Sequence, residues 1–356
     1  MSEQAAVTQT PTPPTEYVVD ERMADVSLVT KLLRRPELGA LLAATVVGLF
    51  FALTTDQFGT LDGAANWLAV ASTFGIPAVA VALLMIGGEF DLSAGVMTGT
   101  SGLVMGLLAT ELDMNIWLAI AATFAFAACI GFMNGMMVVK TKLPSFIVTL
   151  ATFFVLQGVN LGVTKQITGT VRVGGLGDVP GFESAKQIFG GTFWSPYHFK
   201  VAVLWWIAIT AIATWTLART RVGNWIFGVG GDPVAARNVG VPVARVKVGL
   251  FMTTSLCAAL VGIIIALQLA SVQASQGVGD EFTYIISAVV GGCLLTGGFG
   301  SAIGASIGAL IIGMAFIGIS FSGWDTDWRL LFLGVILLLA VLVNNFVRRS
   351  AEGARK

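Results

Sequence analysis

Charge is scarce in this chain of 356 residues. Asp, Glu, Lys and Arg make up 11% of it, less than half of the roughly 25% usual in soluble domains. With 56% hydrophobic residues and a mean hydropathy of +0.85, that poverty excludes a water-soluble globule and points to an integral membrane protein. A net charge of zero gives nucleic acid no electrostatic hold. Histidine is rarer still. His198 is the single one, read as an interfacial side chain, so neither HExxH metal chemistry nor a histidine proton relay has its partners. No lysine follows a glycine anywhere, which excludes a GK[ST] phosphate loop and with it an ATPase of the chain's own. The three cysteines, Cys129, Cys257 and Cys293, each lie in an apolar run and read as small core hydrophobes, not as disulfides or metal ligands.

What is abundant is glycine, 43 residues, and long apolar runs. Helices in lipid pack through small residues and tolerate glycine well. Ten runs reach or approach the roughly 20 residues needed to cross a bilayer: 38–55, 64–86, 91–110, 115–139, 144–164, 198–218, 246–270, 281–296, 299–321 and 328–346. The fold expected is therefore all-α and polytopic, with about ten transmembrane helices. Residues 1–30, with TPTPPT and no hydrophobic periodicity, are expected to form a disordered cytoplasmic tail and not a signal peptide. The membrane domain is expected over 31–349, and a short cytoplasmic tail over 350–356.

Lys and Arg should collect on the cytoplasmic side. With ten spans and both ends inside, fifteen of the twenty basic residues fall within, including Arg34, Lys140, Arg219, Arg221, Arg237, Arg245, Lys247 and Arg348. Lys165, Arg172, Lys186, Lys200 and Arg329 fall outside. An odd number of spans would strand one basic cluster on the wrong side. The longest outer loop, 165–197, carries GG, PG and aromatic residues and is too long for a bare connection.

The densest basic stretch, 219–247, carries helix punctuation. Asp232 is a candidate N-cap, Pro233 suits the first helical position, and Gly240 suits a left-handed stop; a second short helix is expected from Pro242. Two glycine hairpins, GGEFDLSAG (87–95) and TGGFGSAIG (296–304), suggest a parallel internal repeat, against the alternative of two unrelated turns.

Span interiors are expected to be nearly free of charge, so nothing supports proton or sodium coupling. Glu89 and Asp91 come nearest, and Asp91 is expected to accept from the N–H groups of Ser93 and Ala94. Among polar side chains within or beside spans, Asn66, Asn134, Gln157, Asn160 and Gln268 are candidate lining for a solute path, Gln157 and Asn160 sharing a helix face; the alternative is interhelical hydrogen bonding. Gly300, Gly304 and Gly308 form a packing ridge, within one subunit or at a dimer seam.

Four blocks then resemble a known family: IGGEFDLSAG (86–95), NGMMVVKTKLPSFIVTLATFFVLQGV (134–159), VGGDPVAARNVGVPVARVK (229–247) and VVGGCLLTGGFGSAIGASIGALIIG (289–313). Together, and in this order, they look like the permease subunit of ribose-type sugar ABC importers, a likeness running from about 38 to 348. The resemblance implies the larger, ten-span importer fold in a bacterial cell membrane, with both termini cytoplasmic. It also implies a second permease copy or paralogue, a separate ATPase chain holding ATP and Mg, and an extracytoplasmic sugar-binding protein. Asp232, Pro233, Val234, Ala235, Ala236, Arg237, Gly240 and Arg245 would then couple to the ATPase, with Ala235, Ala236 and Gly240 matching the family's AA-xxx-G core. Val234 stands where many relatives have Glu, which leaves Asp232 and Arg237 as the expected polar contacts. Lys165, Arg172 and Lys186 would face the binding protein. The solute implied is a pentose or hexose. A polyol, inositol or nucleoside remains open, as does an ATP-independent facilitator or channel; an intramembrane enzyme finds no catalytic constellation.

Overall fold

The computed structural model describes residues 36–353, with side-chain surroundings from 37 to 342; the expected tail at 1–30 lies outside the described residues. Ten helices coincide with the ten apolar runs: α1 (Pro36–Thr54), α2 (Leu61–Ile86), α3 (Ala94–Thr110), α4 (Ile116–Thr141), α5 (Ser145–Thr168), α7 (Ala202–Arg219), α10 (Val243–Leu269), α11 (Asp280–Val290), α12 (Ala302–Phe321) and α13 (Trp328–Gly353). Three shorter helices lie between them: α6 (Phe182–Phe189), α8 (Arg221–Gly231) and α9 (Pro233–Asn238). α13 takes in 350–353 of the expected C-terminal tail.

Among the described residues seven helices are long and apolar enough to cross a membrane; α3 has 17 residues, α11 only 11, and α13 is described by its side chains only as far as Leu342. The count of ten uninterrupted spans therefore does not follow from the helices.

Glycine sets how the bundle closes. α2, α10 and α12 are the most deeply buried of the long helices. α4 crosses α10 where a Cβ on Gly131 would come within 2.6 Å of Met252 Cα, and one on Gly135 within 2.7 Å of Val248 Cα. Gly304 and Gly308 of α12 lie against the Gly291 and Ser287 backbone at the end of α11, and Gly300 against Cys293 and Ile86. This ridge packs inside the chain.

The expected repeat shifts register. α2 and α11 stop in the same way: Glu89 N–H donates to Leu84 O and Gly88 N–H to Met85 O, while Cys293 N–H donates to Ala288 O and Gly292 N–H to Val289 O. Gly88 (φ 82°) and Gly292 (φ 91°) take the left-handed residue of this motif. The counterpart of Gly87–Gly88 is thus Gly291–Gly292, not Gly297–Gly298.

α3 and α11 both begin deep in the bundle. Val96 and Met97, in the first turn of α3, cluster with Ala127 near the middle of α4, with Phe153 and Leu156 of α5, and with Ala258 and Ala259 of α10. Gly95 packs on Glu281 and Gly277, so α11 starts at the same depth and runs the opposite way. The 271–279 segment descends to that point along α3, touching Gly106 and Gly102 through Val272 and Gly99 through Gln276. Hydropathy reads this as a short span after a loop; the structure makes it a two-residue strand, then turns over 274–279, then a short helix.

At the end of the bundle where α10 terminates, the 169–201 region holds α6, one short ladder and one strand of a second. β1 (Arg172–Val173) pairs antiparallel with β4 (Val272–Gln273), and β2 (Thr192–Phe193) with β3 (Phe199–Lys200). Phe189 stacks on Trp205 with ring centroids 5.5 Å apart.

Candidate functional site

The most exposed structured element at the opposite end is α9. Asp232 Oδ1 accepts from Val234 N at 2.8 Å and from Ala235 N at 3.0 Å, satisfying two of the free amides of the first turn. Pro233 fills a position that has no bond to lose. Gly240, with φ 86°, ends the element: its N–H donates to Arg237 O and the Val241 N–H to Ala236 O, both at 3.0 Å. Ala236 alone is buried, its methyl facing Gly228, while Val234 and Val239 are 66% and 81% exposed. Asp232, Pro233, Ala235, Arg237, Gly240 and Arg245 are also exposed. The result is a short element whose exposed side chains include two valines, Asp232 and Arg237.

Pro242 does not begin a second short helix. It caps α10, which runs unbroken for 27 residues. The other helix of this stretch precedes α9: α8, capped by Thr220 Oγ1 accepting from Gly223 N at 3.2 Å. Its signal was present in the spacing of Val222, Trp225, Ile226 and Val229, the i, i+3, i+4, i+7 pattern of an amphipathic helix.

Beneath α9 three glycine pairs meet. A side chain on Gly230 would run into the carbonyl oxygen of Ile86 and come within 2.7 Å of Gly298 N; one on Gly297 would come within 2.8 Å of both Gly88 Cα and Gly230 O. Gly298 N–H donates to Ile86 O at 2.8 Å. The helix that leads into α9 thereby rests, backbone on backbone, on the end of α2 and on the middle of the α11–α12 connection. A second tie lies beside it, where Lys247 Nζ donates to Glu89 Oε1.

The Glu89–Ser93 connection is held from α5 and α4. Ser145 Oγ accepts from Phe90 N and Thr149 Oγ1 from Leu92 N, each at 3.0 Å. Asp91 Oδ1 accepts from Ser93 N at 2.8 Å and from Ser93 Oγ at 2.6 Å. The cap thus reaches Ser93 and not Ala94.

The five candidate path residues are not gathered. Asn134 Nδ2 donates to Ser93 Oγ at 3.0 Å and its Oδ1 accepts from Thr152 at 2.6 Å; Asn160 Nδ2 donates to Thr100 Oγ1 at 3.0 Å. Both are buried and bond between helices. Asn66 is exposed, bonded to its own helix at Asp62 O. Gln157 is half-buried on α5, and Gln268 lies at the far end of α10, beside Gly190. Of the loop cations, Arg172 donates to Ser271 Oγ at 2.7 Å, Lys186 sits 5.6 Å from the Phe182 ring centroid, and Lys165 is exposed in the last turn of α5.

Residues 63–341 match the family model described as branched-chain amino acid transport system / permease component. The chain belongs to this permease family. Similar proteins include the ribose import permease protein RbsC of Escherichia coli strain K12, 31% identical over 310 residues, covering 86% of this permease and 92% of the relative. The fructose import permease protein FrcC of Rhizobium meliloti is 28% identical over 319 residues, with 86% and 87% covered. The xylose transport system permease protein XylH of Escherichia coli strain K12 is 30% identical over 361 residues, with 87% and 91% covered. No solved structure matches this permease.

Proposed function

We propose that this permease is the membrane subunit of an ATP-driven importer of a monosaccharide, working with a second permease chain, a separate ATPase that binds ATP and Mg, and an external sugar-binding protein. In this reading the chain crosses the membrane ten times, counting the broken spans, with both termini and α9 on the cytoplasmic face. The sugar class is supported by the ribose, fructose and xylose permeases to which the chain is similar.

One observation carries the coupling role. α9 is a short helix fixed at both ends and exposed on its outer side, and it is seated through Gly230 on the end of the most buried helix. A chain without a phosphate loop has no motor of its own, and such a helix is built to receive a push. Its exposed apolar side chains, Val234 and Val239, suit a hydrophobic notch on the ATPase, with Arg237 and Asp232 as polar contacts beside it. The cations Lys165, Arg172 and Lys186 offer the binding protein a basic face.

Reconstitution tests the reading. The permease with its ATPase and sugar-loaded binding protein, in liposomes, is expected to accumulate sugar only with ATP present. Equal equilibration by the permease alone would make it a facilitator, and selective uptake of a polyol or nucleoside would change the solute class.

A further inference from the structure

The turn-broken span before α11 points to a solute path along residues other than the candidate polar ones. From Gly99, where Gln276 packs, α3 rises eleven residues to Thr110, about 16 Å at 1.5 Å per residue. From Gly95, where α11 begins, the rise to Thr110 is about 22 Å, and the eleven residues of α11 add about 16 Å in the other direction. The sum matches the length of α4, 26 residues or about 39 Å. Ser275 to Asp280 therefore lie near the middle of the bilayer.

In that position the segment is not helical, and one side of it is left uncovered by the chain. Gln273, Ser275 and Gly279 are exposed, Gln276 and Asp280 are partly buried beside them, and Phe282 is 58% exposed. The side chains of Gln273, Ser275, Gln276 and Asp280 find no hydrogen-bond partner among the described residues. Irregular polar backbone at membrane depth is tolerated only where protein buries it or water reaches it. Hydrocarbon is excluded.

We infer that this face of the chain, from Gln273 to Phe282, lines a water-filled path and supplies its contacts to the solute. The set has the chemistry of a sugar site. Two carboxamides, a hydroxyl and a carboxylate present both donors and acceptors to ring hydroxyls, and Phe282 offers an aromatic face to the apolar side of a pyranose or furanose. The site is polar yet holds no fixed cation among these residues, which suits a neutral polyhydroxylated solute over an acidic one. This rests on the importer reading for its solute but not for its water.

The test uses the full complex in proteoliposomes, with Cys129, Cys257 and Cys293 replaced by Ser. Ser275→Cys and Gln276→Cys are each exposed to a charged, membrane-impermeant methanethiosulfonate, with Leu338→Cys, on the exposed side of α13, as the lipid-facing control. The expected result is modification at 275 and 276 at least tenfold faster than at 338. Equal inertness at all three positions would overturn the path and leave a seam between protein chains. In a second arm Asp280→Asn and Gln276→Ala are expected to lower uptake about tenfold at limiting sugar, the scale of one lost hydrogen bond, with Asp280→Asn still permitting modification at 275. Wild-type uptake in both would overturn the solute contacts. Modification at 275 and 276 in a complex that shows no ATP-dependent uptake would remove the importer reading and leave the aqueous path standing.

Discussion

Gly230 lies directly against the carbonyl oxygen of Ile86, so that a single methyl on Gly230 has no room. The same oxygen accepts from Gly298 N–H. One acceptor thus joins the end of α2 to the end of α8 and to the turn before α12.

Gly230→Ala is expected to part these elements. The methyl forces a backbone shift costing about 1–3 kcal/mol, concentrated at the junction. In the proposed importer the expected phenotype is a permease that inserts and binds an ATPase but in which ATP hydrolysis no longer tracks uptake. Gly231→Ala, where an added Cβ meets nothing within 4 Å, should behave as wild type. Equal defects in both would argue against a contact-specific effect.

Asp232→Ala removes the acceptor for the Val234 and Ala235 amides, a loss of about 1 kcal/mol for an N-cap. Hydrogen exchange should quicken at those two amides while α10 stays protected. Uptake should fall and membrane insertion should not. Asp232→Asn or Ser, which cap equally well, should restore both exchange and uptake if the side chain acts only as a cap.

Lys247 and Glu89 should be coupled. Their side chains are 19% and 9% exposed, so Lys247→Met alone leaves a poorly solvated carboxylate, at a cost of about 3 kcal/mol. Replacing both, with Glu89→Gln, should recover most of that loss. A double-mutant cycle on thermal stability in detergent measures the difference; strict additivity would show that the pair contributes nothing.

If the proposed docking holds, Arg172→Ala should weaken it and also loosen the β1–β4 ladder, since the guanidinium donates to Ser271. Lys165→Ala removes an exposed cation alone. Docking through charge predicts a loss for both variants that shrinks as salt rises. A salt-independent loss confined to Arg172→Ala would assign that residue to the ladder.

Local chemistry was legible in the sequence. Asp232, Pro233 and Gly240 announced α9 within a residue or two because caps and left-handed stops are decided by neighbours. The apolar runs likewise located ten helices. What hydropathy could not reveal was the break before Asp280: a window averages apolar Val289 and Val290 with the polar turn ahead of them, so a half-helix and a short span look alike. The depth of that turn depends on Gly95 and Gly99 of α3, some 180 residues earlier in the chain. The three-way glycine contact at Gly88, Gly230 and Gly297 is likewise tertiary. Amide content could not by itself separate roles: Asn134 and Asn160 bond between helices, whereas Gln276 sits in chain that never became helix.

The β1–β4 ladder sets Arg172 opposite Gln273, three residues before Gln276. A protein gripping the 165–197 loop and a solute resting beside Gln276 would therefore act on one continuous piece of backbone. Two ligands that share a structural element share a coupling free energy, and that energy is the same in both directions. Whatever docking does to the affinity of the inner site for its solute, the solute must do, by the same factor, to the grip of the docked protein.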